Sequence, residues 1–236
     1  MTAPGIETFD VAGRQVAYRL RKGSRPTLLF LPGYASDMEG TKALALDAFA
    51  ERRGLAMLRL DYSGTGSSGG RFEDGTLALW LEEALAALDR LTQGPLIIIG
   101  SSMGGWIALH LALLRPERVV ALVGIAAAPD FTNWGFADAD AAAGQGIARG
   151  FWVSAQNLLL LDKDIAIGCP VRFVHGEAHT EVPLEIAFLL MRALRSADVQ
   201  LLTLKGGGHR LSEPREIDSI LRIVAALIDL PLESAV

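Results

Sequence analysis

The strongest constraint on this chain is a rhythm of short runs, apolar almost throughout, separated by segments of helical period. Val16–Leu20, Thr27–Leu31, Ala56–Leu60, Leu96–Ile99, Val119–Ile125, Val171–His175 and Gln200–Leu204 read as strands. Most lack the alternation of a half-exposed strand, which suits strands covered on both faces. Between them Thr41–Arg53, Thr76–Leu91, Met103–Leu114, Leu184–Leu194 and Ile217–Ile228 read as helices. In Thr76–Leu91 the residues Leu77, Leu81, Leu85 and Leu88 form one stripe, with Glu82, Glu83, Asp89 and Arg90 off it. Asp10–Gly13 reads as a hairpin turn near the start. Strand and helix in alternation imply an α/β fold: a mostly parallel sheet flanked by helices on both faces, with right-handed crossovers. In such sheets the functional residues collect beyond the carboxyl ends of the strands.

One interval interrupts the rhythm. Pro129–Gly168 carries an Ala/Gly-rich middle, Ala141–Gly146, and an apolar end, Leu158–Leu161. It is too long for a plain connection, so residues 130–168 are expected to form a short lid insertion on a single domain spanning 1–236. With 236 residues, half of them apolar, one sizeable core is expected. The net charge is −5 and the basic residues are scattered, which argues against a nucleic-acid face or a polybasic membrane patch. Met1–Asp10 lacks the pattern of a secretory signal, and no apolar run approaches the length of a membrane span. Cys169 is the single cysteine, so no intrachain disulfide can form; it is expected to be a buried, inert thiol. A soluble, cytoplasmic protein is the expectation.

The chemistry concentrates after the strand Leu96–Ile99. Gly100-Ser101-Ser102-Met103-Gly104 is a G-x-S-x-G pattern between a strand and a helix, the setting that gives this motif its meaning. A sharp strand-to-helix turn exposes the hydroxyl of the central serine, here Ser102. The amide of Met103, at the start of the helix, is then aimed at a developing oxyanion. A serine nucleophile needs a base with a pKa near neutrality. Of four histidines, His110 falls inside a helix and His175 ends a strand, both settings for structural roles. His209 follows the last strand in the glycine tract 206–208 and precedes the final helix, the place for a general base. Its position after Ser102 fits the chain order nucleophile, acid, histidine.

The chain resembles the α/β-hydrolase superfamily over nearly its whole length. Within it, the chain resembles the branch of the mitochondrial palmitoyl-protein thioesterase and acyl-glucuronide esterase and their bacterial relatives. The resemblance is carried by Pro32-Gly33-Tyr34, residues 40–45, Asp61–Ser68, Gly100–Trp106, Ile125–Asp130 and Gly208-His209-Arg210. It implies cleavage of acyl esters or thioesters through an acyl-Ser102 intermediate, with small-molecule acyl substrates and no cofactor. It also implies that the amide of Tyr34 is the second oxyanion donor beside Met103, with Pro32 replacing the family's usual histidine.

The resemblance exposes a departure. The family's triad acid sits in a loop of the form His-Gly-x-x-Asp-x-x-Val-Pro, and here the loop is His175-Gly-Glu-Ala-His179-Thr-Glu-Val-Pro183. His179 occupies the aspartate position, where its neutral imidazole would accept the N–H of His209. Glu177 or Glu181 from the same loop, or Asp130, are the alternatives. A further alternative is a catalytically impaired, hydrolase-like protein that binds ligand without efficient turnover. Four dispersed histidines and one cysteine offer no zinc pattern. Gly64, Gly66 and Gly69 match G-x-G-x-x-G, but no helix pattern opens there, so the loop is expected to shape the sheet edge rather than bind phosphate. Trp106, Trp134, Phe136, Phe151 and Trp152 are candidate walls of an acyl pocket, with ordinary core packing the alternative reading for each.

Overall fold

The computed structural model describes residues 4–230; Met1–Ala3, where the N-terminal reading begins, and 231–236 lie outside the described residues. Eight strands form one sheet: β1 (Glu7–Val11), β2 (Arg14–Arg21), β3 (Ser24–Leu31), β4 (Leu55–Leu60), β5 (Leu96–Ser101), β6 (Val119–Ile125), β7 (Val171–Gly176) and β8 (Val199–Leu204). Their spatial order is β1-β2-β4-β3-β5-β6-β7-β8. β1 pairs antiparallel with β2 and β2 antiparallel with β4, while every other pairing is parallel. The expected hairpin turn is the β1–β2 connection, where Ala12 and Gly13 both take positive φ. β1 itself has no continuous apolar run, which is why it is missing from the strands read from the sequence.

The central strands form because both of their faces are buried. Leu28, Leu29, Leu31, Ile98 and Ile99 are fully buried, and Ile97 nearly so. One face of the sheet packs against α2 (Leu77–Leu91), α3 (Met103–Leu114) and α7 (Leu184–Ala193). The other face packs against α1 (Thr41–Arg53) and α8 (Pro214–Ile228). α8 starts three residues earlier than its apolar stripe indicates: Pro214 fills its first turn, and Glu213 and Glu216 close a reciprocal capping box. The chain leaves β3 toward β4 on one side and returns through β5 on the other. The ends of β3 and β5 therefore flank a crevice where strand order reverses.

The interval between β6 and β7 folds into three short helices, α4 (Phe131–Trp134), α5 (Ala139–Gly144) and α6 (Arg149–Ala155), followed by a 3₁₀ turn at Gln156–Leu158. Its two ends are tied at one carboxylate. Asp130, buried and in the left-handed region with φ 56°, accepts the amide of Leu160 on both oxygens at 2.9 Å and that of Leu161 at 2.7 Å. Burial raises its pKa, and the Leu161 and Leu160 amides oppose that rise. Asp130 is thus committed to holding the insertion closed on itself. Trp106 Nε1 and His110 Nε2 both meet the Leu158 carbonyl at 2.9 Å, fastening the returning segment to α3.

Replacing Asp130 with alanine strips one buried and one half-buried amide of their acceptor, so the Asp130→Ala variant is expected to lose about 2–3 kcal/mol of stability. Amide exchange at Leu160 and Leu161 should accelerate together with that loss. Urea unfolding combined with exchange measurements checks this, and a loss below about 0.5 kcal/mol with unchanged exchange would refute the tie.

Candidate active site

Ser102 stands between the end of β5 and the first turn of α3, with φ 54° and ψ −120°. For a residue with a Cβ this backbone state costs on the order of 1–3 kcal/mol and persists only where its surroundings enforce it. The surroundings here are glycines. A Cβ on Gly104 would lie 2.2 Å from the Leu31 carbonyl oxygen and 2.6 Å from that of Pro32. One on Gly100 would lie 2.3 Å from the Gly104 carbonyl oxygen. α3 can therefore begin against the end of β3 only because these positions lack side chains. The Ser102 amide donates to the Ile125 carbonyl at 2.9 Å, and its own carbonyl accepts from Gly105 and Ala128. Ser101 is buried, whereas Ser102 is half-buried.

A cleft of about 400 Å³ opens at this turn, lined by Gly33, Tyr34, Lys42, Ser101, Ser102, His209 and Arg210 among others. The structure thus brings the expected nucleophile and the expected base to one cavity at the sheet's switch point. The Ser102 hydroxyl makes no hydrogen bond to His209 among the described residues. Met103 is the first residue of α3, so its N–H has no acceptor within the helix. Tyr34 follows β3 on the other side of the crevice. Its hydroxyl donates to the Gly146 carbonyl at 3.3 Å and accepts the Ala148 amide at 3.1 Å, joining the β3 loop to the insertion.

His209 Nδ1 lies 2.5 Å from His179 Nε2, with the rings edge to face. The aspartate position of the loop is therefore in direct contact with the expected base. The direction of this bond differs from the expectation. His179 Nδ1 accepts the Val182 amide at 2.9 Å and so carries no proton. The single proton of a neutral His179 sits on Nε2, which makes His179 the donor and His209 Nδ1 the acceptor. His209 then carries its own proton on Nε2. The useful tautomer of a general base is the reverse one. An aspartate at 179 would accept from both Val182 and His209; an imidazole has one lone pair and one proton to offer.

The electrostatics keep the cluster neutral. Desolvation lowers the His179 pKa to about 4, with His209 and His175 adding to the effect and Glu181 opposing it. Desolvation likewise lowers His209, opposed by Glu181 and reinforced by Lys42, His175 and Arg210. Lys42 is itself lowered to about 8, chiefly by burial. His175 stacks on His179 with ring centres 4.9 Å apart and meets the Val182 carbonyl at 2.9 Å, a structural role. Of the alternative acids, Glu177 accepts the Gly206 amide at 3.1 Å and holds the glycine tract rather than approaching His209. Glu181 is near the pair: its Oε2 lies 3.5 Å from His179 Nδ1.

His179, Glu181 and His209 present three ligand-type atoms within 4.8 Å of one another. The 2.5 Å gap between the two ring nitrogens is a hydrogen-bond distance. Ligand nitrogens around a tetrahedral zinc at its usual 2.0–2.1 Å stand about 3.3 Å apart, so this pair is spaced for a proton.

A second cavity, of about 590 Å³, is lined by Phe131, Trp134, Phe136, Ala141 and Glu181. Two of the expected wall residues, Trp134 and Phe136, are there. Trp106 and Phe151 are not: both are fully buried in the core, and Trp152 spends its indole N–H on the Thr132 carbonyl. Phe131, which the sequence reading left out, stacks on Phe151 and faces this cavity. It follows Pro129-Asp130 and opens a four-residue helix, too short to carry a periodic signal. In the loop after β4, Asp61 accepts the Met38 and Ser67 amides, and its carboxylate fills the space a Cβ on Gly66 would need. That loop is held by a buried anion of its own. Burial pushes the Cys169 thiol up to about 11, leaving it protonated at neutral pH.

Among known proteins, residues 26–149 match the model of the alpha/beta hydrolase fold family. The mitochondrial palmitoyl-protein thioesterase ABHD10 of Pongo abelii is 37% identical, over 91% of this chain and 76% of that one. The structure superposes on mouse alpha/beta hydrolase domain-containing protein 10 with a TM-score of 0.89 at 33% identity, covering 95% of this chain and 98% of that one. A protein of Agrobacterium vitis S4 described as a hydrolase gives 0.88 at 36% identity, covering 95% and 100%. Matching family model, identity across most of both chains and superposed fold agree, and this chain belongs to the α/β-hydrolase family.

Proposed function

We infer that the protein is a serine esterase or thioesterase acting through an acyl-Ser102 intermediate, with His209 as general base. The observation that carries this reading is the strained, half-buried Ser102 sharing one cleft with His209 at the crevice between β3 and β5. In the reaction Ser102 Oγ bonds to the acyl carbon while its proton passes to His209 Nε2. Tyr34 and Met103 amides take the oxyanion. The alcohol or thiol departs with the proton from His209, and water then repeats the sequence to free the acid and Ser102. The aromatic cavity of Phe131, Trp134 and Phe136 suits the acyl chain, and residues 130–168 act as its lid. Relatives named as palmitoyl-protein thioesterases favour an acyl thioester as substrate.

One observation favours a second reading, a hydrolase-like protein that binds acyl ligands with little turnover. In the arrangement described, His209 has a proton on Nε2 and its Nδ1 lone pair engaged, so no basic nitrogen faces Ser102. A panel of 4-nitrophenyl esters and acyl thioesters of graded chain length separates the two readings. Turnover is expected to fall on the order of 10,000-fold or more in Ser102→Ala, and a fluorophosphonate should label the wild-type chain but not the variant. Absence of both turnover and labelling would favour the binding reading instead.

The pKa shifts give a sign for the pH response. A buried histidine that is neutral when folded and has its ordinary value near 6.5 when unfolded binds fewer protons in the native state. Its contribution to stability is complete above about pH 6.5 and is lost as pH falls toward the folded value, about 4 for His179. Urea midpoints of the wild-type chain should therefore drop between pH 6.5 and 4, and less steeply in His179→Asn. The lowered His209 pKa likewise keeps the kcat/KM plateau level below pH 6.5. Parallel slopes in the two proteins would remove His179 as the titrating group.

A further inference from the structure

The two protons of the histidine pair have alternative homes, and His179 Nδ1 decides between them. With the Val182 amide at 2.9 Å on that atom, the His179 proton lies on Nε2 and points at His209. A second group faces the same atom from the solvent side. Glu181 Oε2 is 3.5 Å from it, on a side chain that is 61% exposed and that also accepts the Thr180 hydroxyl at 3.1 Å. An amide N–H at Nδ1 requires a lone pair there, whereas a carboxylate at Nδ1 favours a proton there. The two neighbours therefore call for opposite tautomers of the same ring.

We propose that Glu181 is a positioning residue: by drawing the His179 proton to Nδ1 it turns His209 into the tautomer whose Nε2 is free to act as base. The proposal rests on the serine-hydrolase reading above and names what replaces its missing aspartate. The change conserves protons. The proton between the rings crosses the 2.5 Å bond from His179 Nε2 to His209 Nδ1. His209 releases its Nε2 proton to water in the cleft, and His179 takes one from water at Nδ1 on the Glu181 side. The Val182 amide turns away from Nδ1 as this happens. Glu181 and His179 then stand in series where the family has one carboxylate, with the negative charge one ring further from the imidazolium that forms on His209. The other polar groups around the pair are His175, stacked on His179, and the cations Lys42 and Arg210 near His209. None of them is an acid, which leaves Glu181 as the carboxylate next to the pair among the described residues.

The test is a double-mutant cycle between Glu181→Gln and His179→Asp, read as kcat/KM on a 4-nitrophenyl ester at pH 8, with nitrogen-15 spectra of the histidines. Glu181→Gln is expected to lower kcat/KM tenfold or more in the wild-type chain, and at least fivefold less than that in the His179→Asp background. His179→Asp alone should raise activity tenfold or more. The spectra should show a population of His209 protonated on Nδ1 in the wild-type chain that declines in Glu181→Gln. Equal losses from Glu181→Gln in both backgrounds would make Glu181 a pocket wall and overturn the proposal. So would identical His209 tautomers in the wild-type chain and Glu181→Gln, a measurement that stands even if His179→Asp fails to fold. Turnover that survives Ser102→Ala would instead bring down the hydrolase reading itself, whatever Glu181 does.

Discussion

Everything at the site depends on how closely α3 approaches the end of β3. Gly104 sits where any side chain would strike the carbonyls of Leu31 and Pro32, and that contact sets where the helix begins. The chain must then leave β5 and enter α3 within one residue, which forces Ser102 into a backbone state that most residues avoid. The sheet supplies the rigidity. β5 is hydrogen-bonded to β3 on one side and β6 on the other, with apolar layers above and below, so the strain has nowhere to relax. The strained turn at Ser102 is a product of central packing rather than of local flexibility.

Much of this is legible in the sequence because the governing signals are strong and local. Fully apolar runs such as Leu96–Ile99 announce strands covered on both faces, and the glycines around Ser102 announce a tight strand-to-helix turn. The β1 strand was less visible because an antiparallel edge strand needs no continuous apolar run. The insertion was legible only as an interruption. Its three short helices take their order from contacts distant in sequence, such as Asp130 with Leu160 and Trp106 with Leu158, which no local pattern encodes. The same limit explains the pocket walls. Trp106 and Phe151 are large and apolar, as wall residues would be, and composition does not reveal that they turn into the core while Phe131 and Phe136 line the second cavity.

The third position shows a different limit. That His179 stands in the place of an aspartate follows from the loop pattern alone. Which nitrogen carries its proton does not, because that is set by the Val182 amide three residues on, through a hydrogen bond visible only in three dimensions. A carboxylate accepts from several donors at once and leaves the proton of its partner where catalysis needs it. An imidazole forces a choice between donors. An imidazole at this position thus keeps a contact with His209 while reversing the direction of a hydrogen bond.

Tyr34 belongs to two structures at the same time. Its backbone follows β3 at the rim of the cleft, while its hydroxyl is bonded at both lone pair and proton to the segment around Gly146 and Ala148. Any movement of that segment away from β3 would have to break those two bonds and free the ring. The loop beside Ser102 and the segment around Gly146 and Ala148 are therefore mechanically geared, and neither can shift without straining the other.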